Sequence, residues 1–368
     1  MSIAMANKRL WRILLPTSVL LLIFIYLELK FNSLASFYPL VRPTPDETGI
    51  ETTTTSSSSS SSSLNFLPSD EAQSLCSVYS LAPYSDRTRP RKIYDLIPFN
   101  TELDWLDIRM NELAPEVDYF VIVEADQTFS GLPKPLLFKE NFSRFSQFAP
   151  KIIYHALNLT DIHEGNAWAR EVYTRNSLFL SVFPSLLPPA APSFNDVILV
   201  SDTDEIPRPD TLVMLRNCDF PDRVTLRSRF YYYSFQWHHV GKDWHHPQAT
   251  FYAGMNDTVL PESLRMGGGA FDIWNASWHC SSCFSTIGEL VRKIESYSHK
   301  EHNKPQFREP GEVVRKVRNG LDLFDRESEV YEKVEAVDVP GYLREHRVRF
   351  PFLLDRDPEN ANFRDYVP

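Results

Sequence analysis

Asp202 and Asp204 stand one residue apart at the end of the apolar run Val197-Ile198-Leu199-Val200, and Glu205-Ile206-Pro207 follows. Burial places so short and apolar a strand in the middle of a sheet, and its carboxyl end opens into the crevice where α/β proteins bind ligands. Two carboxylates there repel each other unless a cation lies between them. Along an extended segment, residues i and i+2 point the same way, which lets both acids serve one ion. A hard divalent ion that also grips a diphosphate is the natural occupant. The chemistry this predicts is sugar transfer from a nucleotide sugar, with Mn²⁺ (Mg²⁺ the alternative) neutralising the departing diphosphate. Asp202 is then both a metal ligand and part of the donor site, and Asp204 a metal ligand. A solvated turn is the plainer use of Asp-x-Asp; the buried strand before it favours the metal.

Other residue types extend this picture. Glu205 is either the general base that deprotonates an acceptor hydroxyl or a tie that bonds loop N–H groups. Asp272, after the glycine run 267–269, is the second candidate base. His279, in Trp278-His279-Cys280-Ser281-Ser282-Cys283, is either a third metal ligand or a packed core histidine. A zinc site needs more ligands than one C-x-x-C with an adjacent histidine. Asn100, Glu102 and Glu124, at strand ends, are candidates for base or ribose contacts, with helix capping the alternative for the first two. Arg170, Arg175 and Asn176 group with Glu171 on one helix and form either a phosphate clamp or solvated i,i+4 pairs. Tyr231, Tyr233, Phe235 and Trp237 alternate on one face of an expected strand. His238, His239, Trp244, His245 and His246 follow, and one or two of this set are expected on the acceptor sugar.

These residues need a scaffold, and the patterning supplies one. Strands are expected over 92–99, 118–124, 151–156 and 197–200, alternating with helices over 103–113, 166–183 and 209–216. That alternation predicts an α/β protein with a mixed, parallel-rich central sheet flanked by helices. The stretches 223–237, 250–252 and 268–274 read as antiparallel strands added to one side. No G-x-G-x-x-G or P-loop string occurs, which argues against a dinucleotide enzyme or an NTPase.

The 368 residues suffice for one large or two ordinary domains, and 43% hydrophobic with 13% aromatic residues describes a well-packed globular protein. A formal net charge of -10 argues against a general nucleic-acid binder. Four cysteines suit one or two bridges and do not choose their own pairing. Lys8, Arg9 and Arg12 precede an apolar stretch over 13–27, roughly 22 Å as a helix, which flanking residues lengthen toward a ~30 Å membrane core. The expected layout is a cytoplasmic tail over 1–12, a signal-anchor helix over 13–29 and a Ser/Thr/Pro-rich stalk over 30–74. A lumenal catalytic domain follows over 75–368. A signal peptide cleaved near Ser33 and Ala35 is the rival. Sequons at Asn141, Asn158, Asn256 and Asn275 agree with a lumenal domain. Anchor, stalk and head together are the layout of a single-pass type II Golgi enzyme.

One ordered set of strings runs from about Lys92 to Asp357. It comprises Phe99-Asn100-x-Glu102-Leu103-Asp104-x-Leu106-Asp107-Ile108-Arg109, Val117-Asp118-x-Phe120-Val121-x-x-Glu124 and Gly131-x-Pro133-Lys134-Pro135-Leu136. It continues with Ser201 to Pro207, Trp278-His279-Cys280-Ser281-x-Cys283-Phe284 and Leu323-Phe324-Asp325-Arg326. The set resembles glycosyltransferase family 17, whose best-known members are the β-1,4-mannosyl-glycoprotein 4-β-N-acetylglucosaminyltransferases. The resemblance implies a GT-A-type nucleotide-sugar fold and an inverting reaction in which UDP-GlcNAc, with Mn²⁺, donates to the core mannose of a glycoprotein N-glycan. Asp202 and Asp204 inherit the metal–diphosphate role. Glu205 and His279 fall on motif positions, and Asp272 inherits nothing. The segment around Trp168, the tyrosine-rich strand and the Asp272 region depart from the animal pattern. Alternatives are a GT-A transferase with another donor or a non-N-glycan acceptor, and a glycan-binding Golgi protein without turnover.

Overall fold

The structure is a computed structural model, and it describes residues 65–160, 162, 166–267 and 270–368. The expected anchor over 13–29 lies outside the described residues, as does the Ser/Thr tract. Among the described residues no helix is long and apolar enough to cross a membrane. Helix α1 (Ser69–Val78) overlaps the last residues of the stretch expected to be stalk. Its Ala72 and Cys76 are buried, and a Cys76–Cys218 disulfide ties it to the body of the protein.

Strands β1 (Ile93–Phe99), β2 (Tyr119–Ala125), β3 (Ile152–Leu157) and β4 (Val197–Val200) are parallel, in the order β4-β1-β2-β3. Their side chains alternate between two cores. Ile97, Phe120, Ile122 and Leu199 pack in one core with Leu106, Met110 and Leu113 of helix α2 (Leu103–Leu113). Leu96, Val121, Val123 and Val200 pack in the other with Leu178 and Phe179 of helix α4 (Ala167–Leu180). Helix α3 (Leu137–Glu140) is a single turn between β2 and β3. Cover on both faces is why Val197–Val200 carries no polar residue.

Beyond β4 the sheet changes character. Strand β5 (Glu205–Pro207) leads into helix α5 (Pro209–Asn217), opened by Pro209. Strand β8 (Gln248–Phe251) runs antiparallel to β4 and to β6 (Val224–Tyr232). Strand β9 (Phe271–Ser281) pairs antiparallel with β5 but parallel with β6, which corrects the expectation that all added strands are antiparallel. The stretch 223–237 is not one strand either. Tyr233, at φ 63°, reverses the chain from β6 into antiparallel β7 (Ser234–His239). Buried Arg356 holds this reversal by donating to the Tyr233 carbonyl from Nη2 at 2.8 Å and from Nε at 3.1 Å. The expected aromatic face of Tyr231, Tyr233, Phe235 and Trp237 therefore does not exist: Tyr231 and Phe235 join the first core, Tyr233 and Trp237 a third. Helices α6 (Pro261–Gly267), α7 (Ile287–Ser296), α8 (Pro310–Asn319) and α9 (Gly341–Glu345) and edge strand β10 (Tyr331–Lys333) complete the fold.

The Cys76–Cys218 bridge spans a sequence separation of 142 residues. Removing a native bridge costs about 2–5 kcal/mol. The double substitution Cys76→Ala, Cys218→Ala should lower the urea midpoint accordingly, and an unchanged midpoint would show that α1 contributes no constraint.

Candidate active site

From β1 the chain steps outward through β2 to β3, then returns to β4 on the other side of β1. At such a switch the loops after the two strands diverge and leave a crevice at their carboxyl ends. A cavity of about 420 Å³ opens there. Phe99, Asn100 and Glu102 line it after β1, and residues 202–205 line it after β4. Arg175 of α4, Arg265 of α6, Lys293 of α7 and His279 of β9 close it in.

Residues 202–205 form a turn rather than an extended segment, with Glu205 N–H donating to the Asp202 carbonyl at 2.9 Å. Arg109, fully buried on α2, holds the turn from below. Its Nη1 donates to the carbonyls of Asp202 (2.7 Å) and Glu205 (2.8 Å). Its Nε and Nη2 bond Asp95 at 2.8 and 2.6 Å, and Nη2 also reaches Ser201 Oγ at 2.7 Å. A buried guanidinium needs such a full set of acceptors to offset its lost hydration.

The turn aims its acids at different cations. Asp202 receives Arg175 Nη1 on Oδ1 and Arg265 Nη2 on Oδ2, both at 2.7 Å. Burial would raise its pKa, but the two guanidinium groups, Arg175 first, hold it well below the usual carboxylate range. Asp204 accepts Lys293 Nζ on Oδ2 at 2.7 Å, while its Oδ1 lies 3.9 Å from His279 Nδ1. Burial would depress the Lys293 ammonium, but Asp204 and then Glu102 raise it above its ordinary value. The expectation that Asp202 and Asp204 point together at one ion is thus not met, because the turn replaces strand alternation.

Glu205 is completely buried and accepts four donors: Trp244 Nε1 (2.6 Å), Asp202 N (2.7 Å) and Arg265 from Nη1 and Nη2 (2.9 and 3.1 Å). Burial would push its pKa up; Arg265 outweighs that and holds it down to about 2. With its lone pairs occupied it is a tie for the loop, not a base facing an acceptor. Asp272 is no base in this crevice either: it pairs with Arg227 at 2.9 Å outside the cavity, beside exposed Trp274.

Of the expected donor contacts, Asn100, Glu102, Arg175 and Asp202 line the cavity. Three others serve the fold instead. Glu124 accepts from Phe138 N (3.0 Å), Tyr154 Oη (3.1 Å) and Lys134 Nζ (3.3 Å). Arg170 donates to the Phe129 carbonyl at 3.2 Å. Asn176 accepts from Glu262 N at 3.1 Å in the first turn of α6. His279 stacks on Trp244 and Phe230, with ring centres 4.6 and 5.0 Å away, so its orientation is fixed by packing. Cys280 and Cys283 form a disulfide beside it, which removes them as metal ligands.

The donor set decides where a divalent ion fits. Asp204 and His279 offer a carboxylate oxygen and an imidazole nitrogen at one point of the cavity wall, a pair that suits a Mn²⁺-class ion. Asp202 does not fit, since both its oxygens are engaged by guanidinium groups. Asp202, Asp204 and His279 do not form a three-group cluster of ligand atoms.

The model of glycosyltransferase family 17 matches residues 11–360. The chain belongs to this family. It is 24% identical over 328 residues to the human β-1,4-mannosyl-glycoprotein 4-β-N-acetylglucosaminyltransferase, covering 76% of this chain and 60% of that protein. The rat protein of the same name is 24% identical over 337 residues, covering 78% and 61%. The chain therefore spans about three-fifths of the length of the curated relatives it matches. Among solved structures, mannosyltransferase PcManGT from Pyrobaculum calidifontis, in complex with GDP-Man and Mn²⁺, superposes with a TM-score of 0.33 at 11% identity. That overlap covers 68% of this chain and 69% of PcManGT. A superposition that loose transfers neither fold nor chemistry.

For this family member, reading the chain missed Arg265 and Lys293. Arg265 precedes the glycine run with no periodic pattern to mark it. Lys293 belongs to an ordinary amphipathic helix, started by a capping box between Thr286 and Glu289. Arg109 lay inside a family string but had no assigned task. Of the aromatic and histidine set, Trp244 reaches the cavity, and its indole N–H is spent on Glu205.

Glu205 titrates near 4.5 when unperturbed and at about 2 in the folded chain. The folded state therefore binds fewer protons across that window, and the Glu205 contribution is lost as pH falls through it. Glu205→Gln leaves Arg265 undercompensated and should cost about 3–5 kcal/mol at neutral pH. The gap in melting temperature between wild type and E205Q should stay constant from pH 8 to about 5 and narrow below; a gap that widens in acid would refute this assignment.

Proposed function

We propose that this chain transfers N-acetylglucosamine from UDP-GlcNAc, with inversion, in β-1,4 linkage to a mannose of a protein N-glycan. The observation that carries the reading is the acid turn at the sheet's switch-point crevice in a family 17 chain. The names of the human and rat relatives support the donor sugar, acceptor and linkage. The parallel block with its added antiparallel strands is consistent with a GT-A fold. We further propose a type II Golgi membrane protein, with residues 13–29 as uncleaved anchor and the stalk expected over 30–74 ending where α1 begins at Ser69.

Arg265 and Lys293 line the cavity and are the candidate cations for the donor's diphosphate. Asp202, kept ionised by its arginines and with its side chain about a third exposed, accepts hydrogen bonds from ribose or sugar hydroxyls. Asp204 and His279 are the residues that would hold a divalent cation. When bound, such an ion supplies Lewis-acid compensation of the leaving diphosphate. Phe230, Tyr232 and Trp244 give the cavity an apolar wall that suits the faces of sugar rings and excludes water from the anomeric centre. The acceptor hydroxyl oxygen bonds the anomeric carbon as the carbon's bond to the diphosphate oxygen breaks; the displaced pair stays on UDP, and the hydroxyl proton passes to a carboxylate of the cavity wall, for which Glu102 and Glu329 are the candidates.

Asp204→Asn should keep the fold and lower transfer to a defined N-glycan acceptor by at least about a hundredfold; full activity in a folded D204N protein would reject the site. Lys293 already neutralises Asp204, so Mn²⁺ competes with its ammonium. Lys293→Met should tighten Mn²⁺ binding by about tenfold in calorimetry, and weaker binding would show that the lysine supports the metal instead.

A further inference from the structure

A second group of ligating side chains lies at the same cavity, in the short 3₁₀ turn Lys300–His302 that follows α7 and in His299, the residue that caps it. His299, Glu301 and His302 each present one ligand atom within 4.8 Å of the other two, the one such three-group cluster among the described residues. His299 Nδ1 lies 2.8 Å from Glu301 Oε1. The two imidazole rings have centres 6.0 Å apart. Two histidines on a tetrahedral zinc, with Zn–N bonds of ~2.0–2.1 Å, hold their ring centres about 5 Å apart, so a small adjustment suffices. Packing places both rings. His302 stacks on Phe324 with centres 4.3 Å apart and planes 16° apart, and His299 meets the Trp168 ring edge-on at 4.9 Å. Both histidines line the cavity.

We propose that His299, Glu301 and His302 form a transition-metal site of the zinc class at the rim of the cavity, distinct from the acid turn. Two imidazoles and one carboxylate are a borderline donor set that selects Zn²⁺, Ni²⁺ or Cu²⁺ over Mn²⁺ and Mg²⁺. Three protein ligands leave a fourth position for water or a ligand group. The site is coupled to the acid turn through the chain itself. Ser298 bonds Glu171, Glu171 pairs with Arg175 at 2.8 Å, and Arg175 pairs with Asp202 at 2.7 Å. An ion at the rim therefore immobilises the segment that buttresses Asp202. The site stands on the geometry of these three residues; only its influence on the donor rests on the transferase reading.

The 368-residue chain stripped of metal should bind Zn²⁺ in calorimetry at a site tighter than the Asp204–His279 pair, and Co²⁺ should give the visible d–d bands of a four- or five-coordinate ion. His299→Ala with His302→Ala should weaken Zn²⁺ by at least about tenfold and abolish the cobalt bands, with circular dichroism confirming the fold. Glu301→Gln, a milder change, should shift the cobalt spectrum. Asp204→Asn should leave Zn²⁺ binding intact, so the rim site is separable from the proposed catalytic site. Zn²⁺ affinity unchanged by the double substitution, or lost in D204N, would overturn the proposal, as would the absence of any cobalt band in the wild type.

Discussion

Carboxylates withdrawn from water must find positive charge, and in this protein that requirement organises the crevice. Asp202, Asp204 and Glu205 are brought together by one turn. Four cations from four helices hold that turn: Arg175 of α4, Arg265 of α6 and Lys293 of α7 meet its carboxylates, and Arg109 of α2, paired with Asp95, grips its carbonyls. An unpaired charge at this depth costs several kcal/mol, so each helix is held to its place by electrostatics as well as by apolar packing. Arg265 is the most committed of the four, bonding Asp202 and both oxygens of Glu205.

The same balance divides labour between neighbours that look alike. Glu205, saturated by donors, fixes the loop. Asp202, clamped by two guanidinium groups yet open to the cavity, stays ionised in a fixed orientation. Asp204 has one oxygen on a lysine and the other toward a stacked histidine. Three acids within four residues thus differ because their partners differ, which is how a polar site is preorganised before any ligand arrives. A network so fully paired also resists deformation, and it gives the rim segment around Ser298 a direct line to Asp202 through Glu171 and Arg175.

Much of this was legible in local pattern. Runs such as Val197–Val200 and Phe120–Val123 are apolar because both faces are covered, and the helices between them show their 3.6-residue periodicity. The parallel half of the sheet follows from those local signals; the strand order that creates the crevice does not. The second half was less legible. The stretch 223–237 alternates like a strand, yet Tyr233 turns it back because Arg356, 123 residues on, grips its carbonyl. Strand β9 runs parallel to β6, a pairing no turn between them dictates.

By itself the sequence determined the α/β alternation, the position of the acid pair at a strand end and the ordered motifs that mark family 17. Those are properties of neighbouring residues, or of strings that keep their order along the chain. Tertiary structure decided which cation meets which acid: Lys293 lies 89 residues from Asp204, and Arg265 lies 60 from Glu205. Ion pairing depends on where two side chains end in space, and separations that long leave no trace in local periodicity.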